Sequence, residues 1–224
     1  MFERKSAARR SISNDMARLH PTLNLTRTVA RDLLDSHPQV WDSLPYLHNH
    51  IRKIGDSLSY EEFDEIAENV WVHVSAYLAP TCKIEAPAII CGGAKICHYA
   101  HVEGSVIGAF AVVGETGRVK NSVMFDRSSL GSHSSILTSI VGYEAILGDG
   151  CRITDTRLDA QSVSVDMPDG IYASGREHLG GIICDGVKIG VSCVINPGTV
   201  IDAYSRVYPL TSVSGYVYPY TTVK

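Results

Sequence analysis

Ionisable side chains in the middle of the chain recur at a spacing of 17 residues. His98 and Glu115 are separated by this interval, and so are Glu103 and Lys120. If residues at this spacing become neighbours in space, acids and bases line up in outward columns, an arrangement typical of an acid–base cleft. The alternative is a surface ladder of ion pairs, each of which contributes only about 0–1 kcal/mol to stability.

Further residues extend these columns. Ser132 continues the column of His98, His133 follows directly, and Arg118 lies two residues before Lys120. His133 is a candidate general base, although a lone exposed histidine is more often an ordinary solvated residue. The predicted catalytic residues are His133 and His98. The predicted substrate-binding residues are Lys120, Glu103, Arg118 and Ser132.

Other catalytic signatures are not found in the sequence. It contains no glycine-rich phosphate loop followed by Lys-Ser/Thr, no H-E-x-x-H and no G-x-S-x-G. The six cysteines form no C-x-x-C pair, and we expect them to be reduced thiols. A zinc site built from His98, His101 and His133 is a weaker alternative, because their spacing matches no familiar ligand pattern. We therefore predict no metal.

The residues between these candidates show a sustained period of six. Helices have a period of 3.6 and ordinary strands a period of two, so neither explains the pattern. Over about 150 residues, a fixed short period predicts a β-solenoid. The aliphatic positions, with occasional five-residue steps, are Ile66, Val72, Leu78, Ile84, Ile90, Ile96, Val102, Ile107, Val113, Val119, Phe125, Leu130, Ile136, Val141, Leu147, Ile153, Ile183, Ile189, Ile195, Ile201, Val207 and Val213.

The period fixes the geometry of the predicted solenoid. Three hexapeptides form one triangular coil of roughly 18 residues, and successive coils stack about 4.8 Å apart, the spacing of paired strands. A single coil cannot bury its inward face, so stacking supplies the core. This stacking would bring residues 17 or 18 positions apart into contact.

The pattern divides the chain into three parts. Residues 1–24 carry basic side chains without periodicity, and we expect a flexible tail. Residues 25–65 are predicted to be a helical lead-in. Residues 66–224 are predicted to be the hexapeptide-repeat β-helix, interrupted by a polar loop at 165–181. Such a loop is either a functional insertion or a tolerated one.

Three helices are predicted in the lead-in. The first runs from Thr26 to Leu34 and stops before a proline. The second has an apolar face and ends at Gly55. The third is a short acidic helix over Tyr60–Ile66, with Glu62 in a capping-box position after Ser59.

Composition excludes several classes of partner. The chain has 224 residues, with 20 Lys+Arg against 24 Asp+Glu, and this mild acidity gives no reason to expect nucleic acid. No apolar run approaches the roughly 18 residues of a membrane span. The first residues are basic but lack the apolar stretch of a secretory signal. The expectation is a cytoplasmic protein without a membrane partner.

The segment GRVKNSVMFDRSSLGSHSSILTSIVGYEAILGDG, with the later GREHLGGIICDGVKIGVSCVINPGTVI, resembles the acetyltransferase half of the bifunctional N-acetylglucosamine-1-phosphate uridyltransferase/glucosamine-1-phosphate acetyltransferase. It is more similar still to short proteins related to UDP-N-acetylglucosamine pyrophosphorylases that carry this domain alone. The resemblance covers about residues 38–224. It implies a single-stranded left-handed parallel β-helix, all-β apart from the short helical N-terminal extension. We expect no nucleotidyltransferase domain, because the G-x-G-T-x-M loop of that domain is not found in the sequence.

The resemblance also implies site residues. The sugar-phosphate-binding lysine of the family matches Lys120, and its catalytic histidine aligns with Ser132, one residue before His133. The arginine that neutralises phosphate in the family is replaced by Glu103, which would repel phosphate. Acetyl-CoA lies between neighbouring coils in that family, which implies cofactor-binding residues at Gly190, Val191 and Gly198, and three solenoids associate, which implies a homotrimer.

Two functions follow from these observations. The first is an acyl-CoA-dependent acyltransferase with a degenerate active site. It would use acetyl-CoA to N-acetylate a small-molecule acceptor, an amino-sugar phosphate or a nucleotide-sugar. The alternative is a non-catalytic solenoid that binds a sugar nucleotide or only forms a trimer, which the altered site residues favour.

Overall fold

The computed structural model describes residues 22–224, so most of the tail predicted at residues 1–24 lies outside the described part of the chain. Three sheets, parallel except for the first strand of sheet I, form the sides of a triangular prism. Sheet I contains Phe63–Ala67, Val70–His73, Ala88–Ile90, Val106–Ile107, Val123–Met124, Ile140–Val141, Ile182–Ile183, Val200–Ile201 and Tyr216–Val217. Sheet II contains Tyr77–Leu78, Lys95–Ile96, Val112–Val113, Ser129–Leu130, Ile146–Leu147, Lys188–Ile189, Arg206–Val207 and Thr222–Val223. Sheet III contains Lys83–Glu85, His101–Glu103, Arg118–Lys120, Ser135–Leu137, Arg152–Ile153, Val194–Ile195 and Ser212–Val213.

The register of the strands confirms the stacking. In sheet III, Arg118 is paired with His101 on one side and with Ser135 on the other, so neighbours in space are 17 residues apart in sequence. The chain passes from sheet I to sheet II to sheet III in each coil and then returns to sheet I. The fold is the predicted left-handed parallel β-helix with a short helical extension.

The inner core follows the period of six with two exceptions. The repeat positions from Val72 to Val213, apart from Phe125, point into the prism, where Leu78 and Ile84 are partly buried and the others are buried. Ile66 is 54% exposed, because it belongs to a strand that runs antiparallel to Val70–His73. Phe125 is buried outside the prism and Met124 takes the inward position, so the five-residue step falls between Val119 and Met124, one repeat earlier than predicted.

A second core lies on the outside of sheet I. The residue just before each inward position on this sheet is also apolar, for example Ile89, Val106 and Ile140. The lead-in packs Trp41 and Leu47 against this outer face. Sheet I is therefore buried on both sides, which parallel strands with continuous apolar pairs require.

The lead-in consists of short helices. A 3₁₀ turn spans Leu25–Arg27, helix α1 spans Arg31–Asp35, a 3₁₀ segment spans Val40–Tyr46 and helix α2 spans Leu47–Gly55. The predicted helix over Tyr60–Ile66 is wrong. A turn leads there into the strand Phe63–Ala67, because pairing with the first strand of the prism satisfies the backbone better than one isolated helical turn does.

The interruption of the repeat is a β-hairpin. Val163–Met167 and Gly170–Arg176 pair antiparallel, and they make up most of the segment that the sequence marked as a loop at 165–181. Val163, Val165 and Met167 alternate with polar residues and face the outer core. The hairpin thus covers the C-terminal strands of sheet I, and the lead-in covers its N-terminal strands.

Two buried carboxylates anchor the start of the described chain. Asp185 accepts hydrogen bonds from the backbone N–H of Asn24 at 2.7 Å and of Tyr143 at 2.8 Å. Asp202 accepts one from the N–H of Thr22 at 3.0 Å. Burial raises the pKa of Asp185. Burial also acts to raise the pKa of Asp202, but the hydrogen bonds that its carboxylate accepts outweigh it and the pKa is lowered.

In residues 22–224 no helix combines the length and the apolar character that crossing a lipid bilayer would need.

Candidate functional site

His133 lies at the corner between sheets II and III. Its Nδ1 is 2.6 Å from Thr116 Oγ1. Thr116 Oγ1 is also 2.6 Å from the backbone carbonyl oxygen of Glu115. When the hydroxyl donates to that carbonyl, it accepts from the N–H at His133 Nδ1, and Nε2 then has the lone pair that a general base needs.

Two arginines flank this histidine on the outer face of sheet III. Arg118, Ser135 and Arg152 occupy the same position on three successive strands, so the small serine lies between two guanidinium groups. With His133 and Leu137 they line a groove of about 340 Å³. Arginine side chains at this spacing suit an anionic group such as a phosphate.

The second predicted column forms the far wall of this face. Lys120 is paired in register with Glu103, and its Nζ lies 2.8 Å from the Glu103 carboxylate. The nearest guanidinium nitrogen of Arg118 is 3.8 Å from the same carboxylate. The predicted contact between Glu103 and Lys120 is confirmed. The Glu103 carboxylate neutralises part of the positive charge on this face.

A larger cleft of about 540 Å³ opens at the corner between sheets III and I. Its floor comes from the solenoid, one wall from the lead-in and the other from the end of the hairpin. It shares Arg118 and Leu137 with the groove beside His133, so the two spaces are neighbours on one face. Its lining is Leu44, Pro45, His48, Arg118, Lys120, Asn121, Leu137, Thr138, Asp155, Arg176 and His178.

His178 and Asp155 form a hydrogen-bonded group in this cleft. The hydroxyl of Thr156 donates to Asp155 Oδ1 at 3.1 Å and lies 3.0 Å from His178 Nδ1. The hydroxyl of Thr138 donates to Asp155 Oδ2 at 2.7 Å. His178 Nδ1 is 3.7 Å from the same carboxylate oxygen. His178 Nε2 is then free to face the cleft.

The lead-in contributes the opposite wall. His48 Nε2 lies 2.8 Å from Asn121 Oδ1, across the corner of the solenoid. Gly104 makes this approach possible, because a Cβ at that position would overlap the His48 ring. Arg176 joins the two walls: its guanidinium donates to the carbonyls of Trp41 at 2.7 Å and Asp42 at 3.3 Å.

Comparison with known proteins places this site in a family. A family profile described as the GMPPB C-terminal domain matches residues 94–174. A protein of Escherichia coli K12 described as an uncharacterized acetyltransferase, YaiX, is 31% identical over 191 residues, which are 77% of this chain and 81% of the relative. The chain belongs to the hexapeptide-repeat acetyltransferase family.

Other relatives match shorter stretches. A bifunctional sugar-1-phosphate nucleotidylyltransferase/acetyltransferase of Sulfurisphaera tokodaii is 33% identical over 97 residues, 43% of this chain and 24% of the relative. Among solved structures, the N-acyltransferase AntD of Bacillus cereus, in complex with dTDP and 3-hydroxybutyryl-CoA, is 15% identical, covers 75% of this chain and 81% of its own, and has a TM-score of 0.39. The family and the relative YaiX support an acetyltransferase-like function.

Within this acetyltransferase fold, the predicted catalytic residue His98 and the predicted substrate-binding residue Ser132 line neither of the two clefts. His98 Nδ1 is 2.9 Å from Thr81 Oγ1 on the preceding coil, and His98 lines neither cleft. Ser132 is also absent from both linings, and its backbone N–H donates to Asp149 at 2.8 Å. The structure thus groups His133 with Arg118 and leaves His98 two coils away in the stack.

The residues predicted to bind the cofactor are spread along the last coils. Val191 is 47% exposed at the corner of sheets II and III. Gly190 packs directly on the next coil, where a Cβ would crowd Pro209. Gly198 lies at the corner of sheets III and I and lines a separate cleft of about 590 Å³ beside the base of the hairpin. Their role in binding acetyl-CoA stays a prediction.

The three histidines of the alternative zinc site do not come together. In the part of the chain that the structure describes, the one group of potential metal ligands whose donor atoms lie within 4.8 Å of one another is Glu85, His101 and Glu103. Its two carboxylates already pair with Lys83 and Lys120. This pairing makes the group an ion-pair ladder on sheet III.

Sequence reasoning missed several residues of these clefts. The 17-residue spacing places Arg152 in the column of Arg118, but Arg152 was not among the predicted site residues. Asp155 and His178 are brought together only because the hairpin leaves and rejoins the same corner, where the N–H of Leu179 donates to the carbonyl of Asp155 at 2.9 Å. No local sequence pattern predicts the contact between Asp155 and His178, and none predicts the approach of His48 to the solenoid.

Proposed function

We propose that this protein transfers an acyl group, acetyl in the simplest case, from acyl-CoA to the amine of a small anionic acceptor such as an amino-sugar phosphate or a nucleotide-sugar. The observation that carries the proposal is the environment of His133. Its Nδ1 contacts the Thr116 hydroxyl at 2.6 Å, and in the tautomer in which Nδ1 donates to that hydroxyl, Nε2 is the base beside Arg118 and Arg152. Family membership supplies the acyl-transfer chemistry, and the groove supplies a base next to an anion site.

The chemistry assigns one task to each group. The acceptor nitrogen attacks the thioester carbonyl, the new C–N bond forms, the C–S bond breaks and the CoA thiolate leaves. His133 Nε2 takes the proton that the nitrogen loses, and the imidazolium returns it to the thiolate or to solvent. Arg118 and Arg152 hold the anionic group of the acceptor, which fixes the amine in position for attack.

The remaining parts of this proposal follow the family. The acyl-CoA lies along the late coils near Gly190, Val191 and Gly198, and three chains associate so that a neighbouring solenoid closes the groove. The protein acts in the cytoplasm, where acetyl-CoA is available. Analytical ultracentrifugation tests the trimer: a monomer at assay concentration contradicts it.

The test is a thiol-release assay with acetyl-CoA and a panel of amino-sugar phosphates and nucleotide-linked amino sugars. His133→Ala should lower kcat about 10²–10⁴-fold, the usual contribution of a positioned base. Arg152→Ala should raise KM for the acceptor. Arg206→Ala is the matched control, because Arg206 occupies the equivalent position on a strand of sheet II, away from the groove.

Two outcomes decide against this assignment. If His98→Asn abolishes turnover while His133→Ala does not, His98 is the base and the groove argument fails. If no acceptor gives thiol release, and a nucleotide-sugar raises the melting temperature while acetyl-CoA does not, the protein is the non-catalytic binder.

A further inference from the structure

A third cleft, of about 590 Å³, lies between the base of the hairpin and the late strands of sheet III. Ser164 and Asp166 of the hairpin line one side of it, and Asn196 and Ser214 of the solenoid line the other. We propose that this hairpin cleft binds a neutral sugar ring. In the context of the proposed function, on which this step rests, the ring is a second sugar residue of the acceptor. The acceptor class is then an amino sugar that carries a further sugar.

The walls of the hairpin cleft offer the polar groups that sugar hydroxyls need. Asp166 is exposed, and its Oδ2 reaches across toward Gly215, where a Cβ would lie 3.3 Å from it. Asn196 donates its N–H₂ group to the hydroxyls of Ser212 at 3.0 Å and Ser214 at 2.9 Å. The amide is therefore oriented, and its Oδ1 is the atom that can accept from a ligand. A sugar hydroxyl can donate to a carboxylate or an amide oxygen and accept from a serine hydroxyl.

The charge of the hairpin cleft disfavours a phosphate. Arg157 donates to Asp159 through two hydrogen bonds, at 2.9 and 2.6 Å, so its charge is already paired. The charged residues of the described lining are these two and Asp166, which gives one net negative charge. A phosphate or the nucleotide of CoA would be repelled there, whereas a neutral ring would not. The groove at Arg118 and Arg152 has the opposite sign, so the two spaces suit different parts of one acceptor.

Apolar side chains provide a surface for the ring itself. Val194 is 37% exposed on the floor of the hairpin cleft, and Leu158 is fully exposed at its rim. Sugar rings present C–H groups between their hydroxyls, so a bound ring covers these side chains while its hydroxyls meet the walls. Covering apolar surface is favourable in proportion to the area removed from water. Apolar surface with a few placed polar groups is typical of small-molecule sites.

The hairpin cleft continues the groove that contains His133. Arg152 of the groove and Val194 of the cleft are paired in register on neighbouring strands of sheet III, so about 4.8 Å separates their backbones. Thr154, two residues after Arg152, also lines the cleft. A disaccharide whose first ring lies beside His133 can therefore place its second ring in the hairpin cleft.

Isothermal titration calorimetry of the full chain tests this site without turnover. The probes are maltose, cellobiose and N,N′-diacetylchitobiose, and at least one should bind at up to about 10 mM. Asp166→Asn should weaken that binding about tenfold, the loss of one hydrogen bond to a charged group. Leu158→Ser should weaken it about threefold, the value for roughly 30 Å² of apolar surface. The matched control is Asp169→Asn, on the turn of the same hairpin and outside the cleft, which should bind like the parent.

Three results would overturn the inference. The first is that no disaccharide binds, or that binding is unchanged in both cleft variants. The second is that these variants weaken acetyl-CoA instead, which assigns the hairpin cleft to the cofactor, as the predicted role of Gly198 implies. The third is that Asp166→Asn weakens spermidine and no disaccharide, which makes the cleft an amine site.

The thiol-release assay separates this inference from the proposed function. Chitosan disaccharide should have a lower KM than glucosamine, and Asp166→Asn should remove the difference without changing kcat; equal KM values in the parent would contradict a second sugar site in the acceptor path. Disaccharide binding that depends on Asp166 while no acceptor is acetylated would sink the proposed function and leave the sugar site standing. Acetylation of an amino-sugar phosphate without any disaccharide binding would do the reverse.

Discussion

Gly198 and Gly215 provide a matched pair that tests how the hairpin is held. Both lie at the corner of sheets III and I, and their φ angles are +72° and +73°. A Cβ at position 198 would overlap the carbonyl oxygen of Ser164 in the hairpin. A Cβ at position 215 would meet nothing nearer than Asp166 Oδ2, at 3.3 Å. The two sites share the backbone conformation and differ in the room available.

The expected magnitudes follow from this difference. Alanine in the left-handed region costs about 1–2 kcal/mol, and both Gly198→Ala and Gly215→Ala should lose that much free energy of unfolding. Gly198→Ala must also displace the hairpin, and overpacking costs about 1–3 kcal/mol more. Urea denaturation measures both losses, and limited proteolysis of the hairpin should accelerate only in Gly198→Ala.

Equal losses in the two variants would refute this account of Gly198. The family resemblance instead implies that Gly198 binds the cofactor. If that is its main role, Gly198→Ala should raise KM for acetyl-CoA while its stability matches that of Gly215→Ala. An acetyl-CoA titration of both variants therefore separates a hairpin contact from a cofactor contact.

Three further predictions concern charge and thiols. Glu103→Gln releases Lys120 and should strengthen UDP-glucose binding up to about fivefold by calorimetry, since a partly exposed ion pair is worth about 1 kcal/mol; unchanged binding would contradict this. Burial raises the pKa of the Cys91 thiol to about 12, so iodoacetamide at pH 8 should label the partly exposed Cys97 well before Cys91, as measured by mass spectrometry. The pKa of Asp202 lies below its ordinary 3.8, so the stability it supplies is present above that pH and is lost as pH falls through the lowered value; Asp202→Asn should flatten this acid limb in urea denaturation.

The solenoid could be predicted because its signal is long and local. A period of six repeated over many coils fixes both the fold and the contacts between residues such as Glu103 and Lys120. The outer core was missed, although its signal was present: Ile89-Ile90, Val106-Ile107 and Ile140-Val141 are apolar pairs where a half-exposed strand would alternate. Such pairs indicate that something covers the outside of that sheet.

The errors arose where a weak local pattern competed with tertiary contacts. Ser59 and Glu62 fit a capping box, yet the residues after them pair with Val70–His73 because strand pairing there outweighs one helical turn. A hairpin signal was also missed. Apolar residues alternate with polar ones at Val163, Val165 and Met167, and a Pro-Asp-Gly turn follows. The prediction considered only the loss of the six-residue period in this segment. The cleft itself depends on three distant segments that meet, and one sequence does not encode such a meeting in any short window.

The antiparallel strand Phe63–Ala67 has a consequence for the state of the protein in a concentrated solution. Stacked coils offer unpaired edges on which a second molecule could continue the prism, and repetition of that event would yield a filament. At this end one side ends in a reversed strand that carries Asp64 and Glu65. To stack on this end, an incoming coil would need parallel strands on two of its sides and an antiparallel strand on the third. A coil of the regular repeat does not have that arrangement. The reversed strand thus acts as a built-in stop against polymerisation from this end.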